Sequence, residues 1–160
     1  MDYAHYIRTT FVYRLIELDD RTQPLWGVMN AQLMVEHLMD AVLMAGKCEI
    51  PRESVNWERV PKAHAWFFEQ KNDFIRNTQI PGASETSKSP RFGDYITSRA
   101  RLFSELWDLD FIFQDCADKD KGNCHPAFGQ LTNEEWYEFT ARHCAYHLAQ
   151  FGIENPFTKK

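Results

Sequence analysis

The chain has 160 residues, of which 44% are hydrophobic and 26% charged, the size and balance of one globular domain over residues 1–160. Its formal net charge of -5 argues against nucleic-acid binding, which needs a basic face to neutralise phosphates. No apolar run approaches the ~18 residues of a membrane span, and the first residues, MDYAHYIRTT, lack a secretory signal's apolar core. The four cysteines match no CxxC pattern. We therefore expect a cytoplasmic protein with reduced thiols and no membrane partner.

Two segments in the first third of the chain carry the apolar spacing of helices. The first is predicted over residues 3–19 and ends before Pro24, because proline cannot continue a helix. The second is predicted over 28–45, with Gly46 in the position of a C-cap. This second helix is apolar nearly all round, which is typical of a helix that lies deep in a fold.

A long irregular connection, residues 46–90, joins the second predicted helix to the third. Four prolines interrupt it, and a short helix is predicted over 63–72. The stretch 81–90 is typical of a loop and is either a lid over a site or a plain connection, of which we favour the connection. The third helix is predicted over 92–114.

The fourth predicted helix has the clearest start, because Thr132 and Glu135 stand at the two positions of a capping box. It runs to about residue 151, where Gly152 ends it, and a polar loop over 115–131 precedes it. No segment shows sustained strand alternation. Four long helices without strands predict an all-α fold, an up-and-down four-helix bundle.

Two histidines on the fourth helix are the first candidates for chemistry. His143 and His147 are four residues apart, so their imidazoles lie one turn apart on one face. That face is the apolar one, whereas Glu138 and Arg142 fall opposite. A buried unpaired polar group costs about 1–3 kcal/mol, and a shared metal ion is the simplest partner for both rings. The other interpretation is that the rings are hydrogen-bonded core residues.

The second helix supplies a third imidazole, His37, on an apolar face that it shares with Asn30 and Met34. If the second and fourth helices are neighbours, His37 completes a three-histidine set with an open position for water or substrate. We predict one divalent transition metal at this set, with zinc first and nickel next, although imidazole also suits copper and iron.

Five further residues are candidates for the surrounding pocket: Asn30, Met34, His125, Tyr146 and Gln150. His125 lies in the loop before the fourth helix. It is either a pocket residue or proton carrier, since an unperturbed histidine titrates near pH 6.5, or a residue that sets the path of the chain into the helix. We favour the second interpretation.

Two motifs resemble the DinB-like superfamily of metal-dependent enzymes, most closely a branch classed as a domain of unknown function. They are WGVMNAQLMVEHL at 26–38, and HPAFGQLTNEEW at 125–136 with the later His143 and HLAQF at 147–151. The resemblance implies a four-helix bundle, the metal ligands His37, His143 and His147, and a homodimer. The family often has a histidine directly before the last ligand, where this chain has Tyr146.

Three classes of function are open for the three histidines: an enzyme, a binding protein and a structural role. A metal held by three neutral histidines can lower the pKa of bound water toward 7, or that of a bound thiol. We therefore rank first a metal-dependent hydrolase of a small-molecule substrate, and second a transferase of a low-molecular-weight thiol such as bacillithiol or mycothiol, which the superfamily resemblance also fits. No residue is identified as a general base. The alternatives are a protein that binds a metal or small ligand without turnover, and a structural role for the three histidines.

Overall fold

The computed structural model describes residues 2–46, 53, 55–76, 89–115 and 124–158. These residues are mostly helical, as predicted for an all-α protein, and they also form a small two-stranded sheet. The elements in chain order are α1 Tyr3–Arg8, α2 Thr10–Glu17, α3 Ala31–Met44, α4 Val60–His64, α5 Tyr95–Asp115, β1 Cys124–His125, β2 Gly129–Gln130 and α6 Asn133–Gln150. A π-helical turn, Ala65–Glu69, directly follows α4. Most of the predicted 81–90 loop lies outside the described residues.

The first predicted helix is interrupted, so the continuous helix over 3–19 is wrong. α1 and α2 meet at Thr9, whose φ of -121° and ψ of -78° are not helical. The Thr9 hydroxyl donates to the His5 carbonyl over 2.7 Å, a local side-chain bond that competes with regular helix geometry. Both helices nevertheless bury one stripe, in which Ile7 and Phe11 are fully enclosed.

α3 is shorter than predicted, because the Asn30 side chain accepts from the Leu33 backbone N–H over 2.9 Å and fixes the helix start there. The predicted C-cap, Gly46, does not have the left-handed conformation of that role, since the cap is Ala45 in a right-handed one. Gly46 has another function in the fold. A Cβ atom there would lie 2.1 Å from Ile112 Cγ2, so the glycine allows the end of α3 to approach α5.

α6 confirms its predicted capping box. The Glu135 backbone N–H donates to the Thr132 hydroxyl, and the Glu135 carboxylate accepts from the Thr132 backbone N–H over 2.8 Å. The helix is buried on almost every side, because α1, α2 and α3 all pack against it. Gly152, with φ of +84°, lies just past its end in a conformation that suits glycine.

The predicted polar loop before α6 contains the two-stranded sheet. Cys124 pairs with Gln130 and His125 with Gly129 in antiparallel register. Each strand has two residues, too few for an alternating pattern to show in the sequence. Gly129 has φ of +71°, and a Cβ there would lie 2.8 Å from Val60, so this position favours glycine.

A helix that crosses a bilayer needs about 20 predominantly apolar residues, and this requirement can be set against the helices of the described residues. None of them is both long and apolar enough to cross a membrane.

Candidate metal centre

The three predicted ligands meet between α3 and α6. His143 Nε2 lies 3.2 Å from His37 Nε2 and 2.9 Å from His147 Nε2, and one ring nitrogen of each lies within 4.8 Å of the others. Zinc–nitrogen bonds of about 2.0–2.1 Å separate two ligand atoms by roughly 2.9–3.4 Å at angles of roughly 90–109°. The two separations from His143 fit pairs of imidazoles on one ion, and the cluster of three could hold a metal.

Burial keeps these imidazoles neutral. It lowers the pKa of His37 from 6.5, lowers that of His143 well below 6.5, and lowers that of His147 to about 3. At His143 and His147 the charge of neighbouring histidines lowers the pKa further, whereas Asp40 acts against the shift at His37. A metal-binding histidine must be unprotonated, so the site has its ligands in the binding form near neutral pH.

Gln150 selects the tautomer of His147. Its Oε1 lies 2.5 Å from His147 Nδ1, and its Nε2 donates to the Trp26 carbonyl over 3.3 Å. Because the amide nitrogen is used at Trp26, the oxygen faces the imidazole and Nδ1 must carry the hydrogen. His147 Nε2 therefore presents its lone pair to the centre of the cluster, as a metal ligand requires.

Hydrogen bonding alone does not satisfy the cluster. A ring nitrogen has one in-plane position, for a hydrogen or for a lone pair. His143 Nε2 can donate to His147 or to His37 but not fully to both, although both Nε2 atoms lie within 3.2 Å. His143 Nδ1 is buried and has no partner within the described part of the chain. One cation bound by three Nε2 lone pairs would remove the competition for the single position on His143 Nε2, although it would leave Nδ1 as it is, and this favours a metal over a packing role.

Aromatic rings enclose the two ligands on α6. The Phe139 and Phe74 rings each lie 5.2 Å from the His143 ring between centroids, and the Tyr146 ring lies 5.1 Å from that of His147. Such a shell excludes bulk water and strengthens electrostatic interactions within it. His37 is the least enclosed of the three ligands.

The predicted pocket residues occupy different places. Tyr146 and Gln150 contact His147, as described above, whereas Met34 lies fully buried in the hydrophobic core. Asn30 is exposed and is the N-cap of α3.

His125 is buried beside the cluster rather than in it. Its ring stacks on Phe128 at 4.6 Å and contacts Phe139 edge-on, while its Nδ1 accepts from the Ala127 backbone N–H over 3.1 Å. Burial lowers its pKa to about 3, so it is neutral near pH 7. The Ala127 contact closes the turn between β1 and β2, the part of the chain that leads into α6.

Sequence reasoning missed the segment that covers the site, residues 65–76. Phe74, in this segment, packs on both His143 and Tyr146. Arg142 donates to the Phe67 and Asn72 carbonyls, and Lys71 pairs with Glu138 at 2.7 Å. Helical spacing places Glu138 and Arg142 on the face opposite the histidines. It does not indicate which segment of the chain covers that charged face.

Comparisons with protein-family models, with curated proteins and with solved structures find no match to this chain. The resemblance to the DinB-like superfamily therefore rests on the quoted motifs and stays a prediction. Any statement about function depends on the geometry of the three histidines and their surroundings.

Proposed function

We propose that this protein is a metal-dependent hydrolase of a small-molecule substrate, with one divalent ion bound by His37, His143 and His147. The observation that carries the proposal is the convergence of three neutral imidazoles, with one ring nitrogen of each within 4.8 Å of the others and with aromatic rings around His143 and His147. Zinc is the first choice of metal and nickel the second, because three-histidine sites with an open position suit zinc.

Three neutral ligands leave the full charge of the ion uncompensated, so its chemistry is to acidify a bound water or a bound thiol. The chain's own residues support that chemistry. Gln150 orients His147, and Phe74, Phe139 and Tyr146 keep bulk solvent from the ligand rings. Thiol transfer uses the same site, so the functional experiment includes it as a separate outcome.

The proposal extends to the fold family and to assembly. We infer a DinB-like four-helix bundle in which α1 and α2 together, α3, α5 and α6 are the four helices. The order of these elements and the placement of ligands on α3 and α6 support it. A cytoplasmic homodimer completes the proposal, and size-exclusion chromatography with light scattering tests the dimer.

The metal content tests the site directly. The untagged protein, His37→Ala and the control His5→Ala, which removes an exposed histidine, are analysed by elemental mass spectrometry after zinc reconstitution. We expect about one equivalent of metal in the parent and in His5→Ala, and its loss in a folded His37→Ala. Metal that persists in His37→Ala contradicts the ligand set. A parent that binds no metal contradicts the whole proposal.

Turnover is tested with the same proteins. Ester, amide and phosphoester substrates report hydrolysis, while a thiol with an electrophilic acceptor reports transfer. We expect hydrolysis by the zinc-loaded parent that a chelator abolishes and that His37→Ala lacks. Transfer without hydrolysis identifies a thiol transferase instead, and metal binding without either activity indicates a binding protein.

A further inference from the structure

A positively charged side chain lies beside the aromatic shell of the metal centre. The Arg76 guanidinium lies 3.9 Å from the centroid of the Trp26 ring, and Trp26 contacts Tyr146, whose ring contacts His147. Arg76 is two residues beyond Phe74, the residue that packs on His143. Two aromatic rings, Trp26 and Tyr146, therefore lie in sequence between the Arg76 guanidinium and the His147 ligand.

Both sides of this contact are held in place. Trp26 is fixed to α6 by the Gln150 amide, which donates to its carbonyl, and by the Leu25 backbone N–H, which donates to the Gln150 carbonyl over 2.6 Å. The segment before Arg76 is fixed to the same helix, because Arg142 donates to the Asn72 carbonyl over 2.5 Å. Hydrogen bonds to α6 therefore anchor both the segment that carries Trp26 and the segment that leads to Arg76.

Two polar groups at this place, the Arg76 guanidinium and the Trp26 indole N–H, have no ion-pair or hydrogen-bond partner among the described residues. Arg8, Arg91 and Arg142 each form an ion pair with a carboxylate, whereas no described residue forms one with Arg76, which is exposed. The Trp26 indole N–H is buried and finds no acceptor among the residues that the structure describes. An exposed guanidinium stacked on a ring keeps its N–H edge free for a planar or tetrahedral anion.

We propose that Arg76 recognises an anionic group, a carboxylate or a phosphate, on a substrate whose apolar part packs against Trp26, Phe74 and Tyr146. The inference rests on the proposed function, since it names the substrate class of that same centre. Arg76 is a specificity-determining residue here: it binds a group remote from the reacting bond and directs the rest of the molecule toward the histidines.

The experiment measures binding without turnover. Phenylacetate, phenyl phosphate and the uncharged 2-phenylacetamide are titrated into the ¹⁵N-labelled protein, and the Trp26 indole N–H signal, assigned with Trp26→Phe, reports occupancy. The variant is Arg76→Gln. The matched control is Arg101→Gln, which removes the same charge from an exposed arginine that stacks on Phe92 at 4.8 Å.

We expect at least one of the two anions to bind the parent and Arg101→Gln equally, and to bind Arg76→Gln about tenfold or more weakly. The amide should bind all three proteins weakly and alike. Whichever of the two anions binds more tightly indicates whether the substrate carries a carboxylate or a phosphate. Equal binding to Arg76→Gln and the parent, amide binding as tight as that of the anions, or no anion binding to the parent each overturns the inference.

Metal removal separates this inference from the proposed function. The titrations are repeated on chelator-treated protein, where Arg76 remains but the ion does not. Anion binding that depends on Arg76 with and without zinc supports the inference, even if the metal content contradicts the hydrolase. Binding that needs zinc and ignores Arg76→Gln assigns the anion to the metal, which overturns the inference and leaves the hydrolase standing.

Discussion

The two faces of α6 are both buried, but they are buried in different ways. The histidine face, His143, His147 and Gln150, consists of neutral groups under aromatic rings. The charged face, Glu138 and Arg142, is covered by the segment 65–76. One helix thus buries both neutral polar groups and charged groups. Each kind needs its own hydrogen-bond or charge partners to offset the cost of leaving water.

The charged face is compensated by direct pairing. The Arg142 guanidinium donates to the Phe67 and Asn72 carbonyls and to Glu138, and it lies 3.8 Å from the Phe67 ring centroid. Glu138 also accepts from Lys71. The histidine face lacks such complete pairing within the described chain, since His37 and His147 both approach His143 Nε2, which can carry only one hydrogen. Direct pairing lets the charged face contribute to stability, whereas the arrangement of the histidine face could hold a metal ion.

The largest effect is expected on the charged face. Arg142→Leu removes a buried cation and leaves two backbone carbonyls and part of the Glu138 carboxylate without their donors. Breaking a buried pair in this way costs about 3–5 kcal/mol. Urea denaturation of the parent and the variant at the same metal loading measures the loss of unfolding free energy.

The control is Arg14→Leu, which breaks an exposed ion pair with Glu17 that has a separation of 3.4 Å. Exposed pairs contribute about 0–1 kcal/mol, so this variant should stay close to the parent. If Arg142→Leu costs no more than Arg14→Leu, the network on the charged face does not hold the segment 65–76 in place.

The next effect concerns the histidine face. Gln150→Leu removes the acceptor that fixes the His147 tautomer, and losses of this kind lower metal affinity about 10–100-fold. Competition with a chromophoric chelator measures the zinc affinity of each protein. Gln150→Glu keeps an acceptor for His147 Nδ1 but loses the donor to the Trp26 carbonyl, so it should lose less affinity than Gln150→Leu. Equal affinity in Gln150→Leu and the parent would show that packing alone orients His147.

The sequence was sufficient to predict those features of α6 that involve only residues close together in the chain. The capping box at Thr132 and the four-residue spacing of His143 and His147 involve one helix each, so periodicity and spacing were enough. The place of His37 required α3 and α6 to pack together, which a single sequence suggests only through a resemblance.

Other features could not be read from the sequence, because they depend on contacts between distant residues. Arg142 meets Phe67 and Asn72 across 70 or more positions. Phe74 lies just beyond the predicted short helix over 63–72, and no local pattern indicates that its ring packs on His143. The break at Thr9 depends on one side-chain bond, and helical spacing continues through it unchanged.

The smallest effect is expected at the start of α6, where a local and a distant contact meet on one carboxylate. Burial raises the pKa of Glu135, but hydrogen bonds from Thr132 and the His64 imidazole at 2.7 Å outweigh it and hold that pKa below 4.5. The stability that Glu135 contributes is therefore complete above pH 4.5 and is lost as the pH falls through the folded-state value. Urea denaturation from about pH 7 to about pH 3 should show a stability difference between the parent and Glu135→Gln that shrinks below pH 4.5.

His64→Ala should keep most of this dependence, because the Thr132 contacts remain. If it flattens the profile as fully as Glu135→Gln does, the distant contact dominates over the capping box.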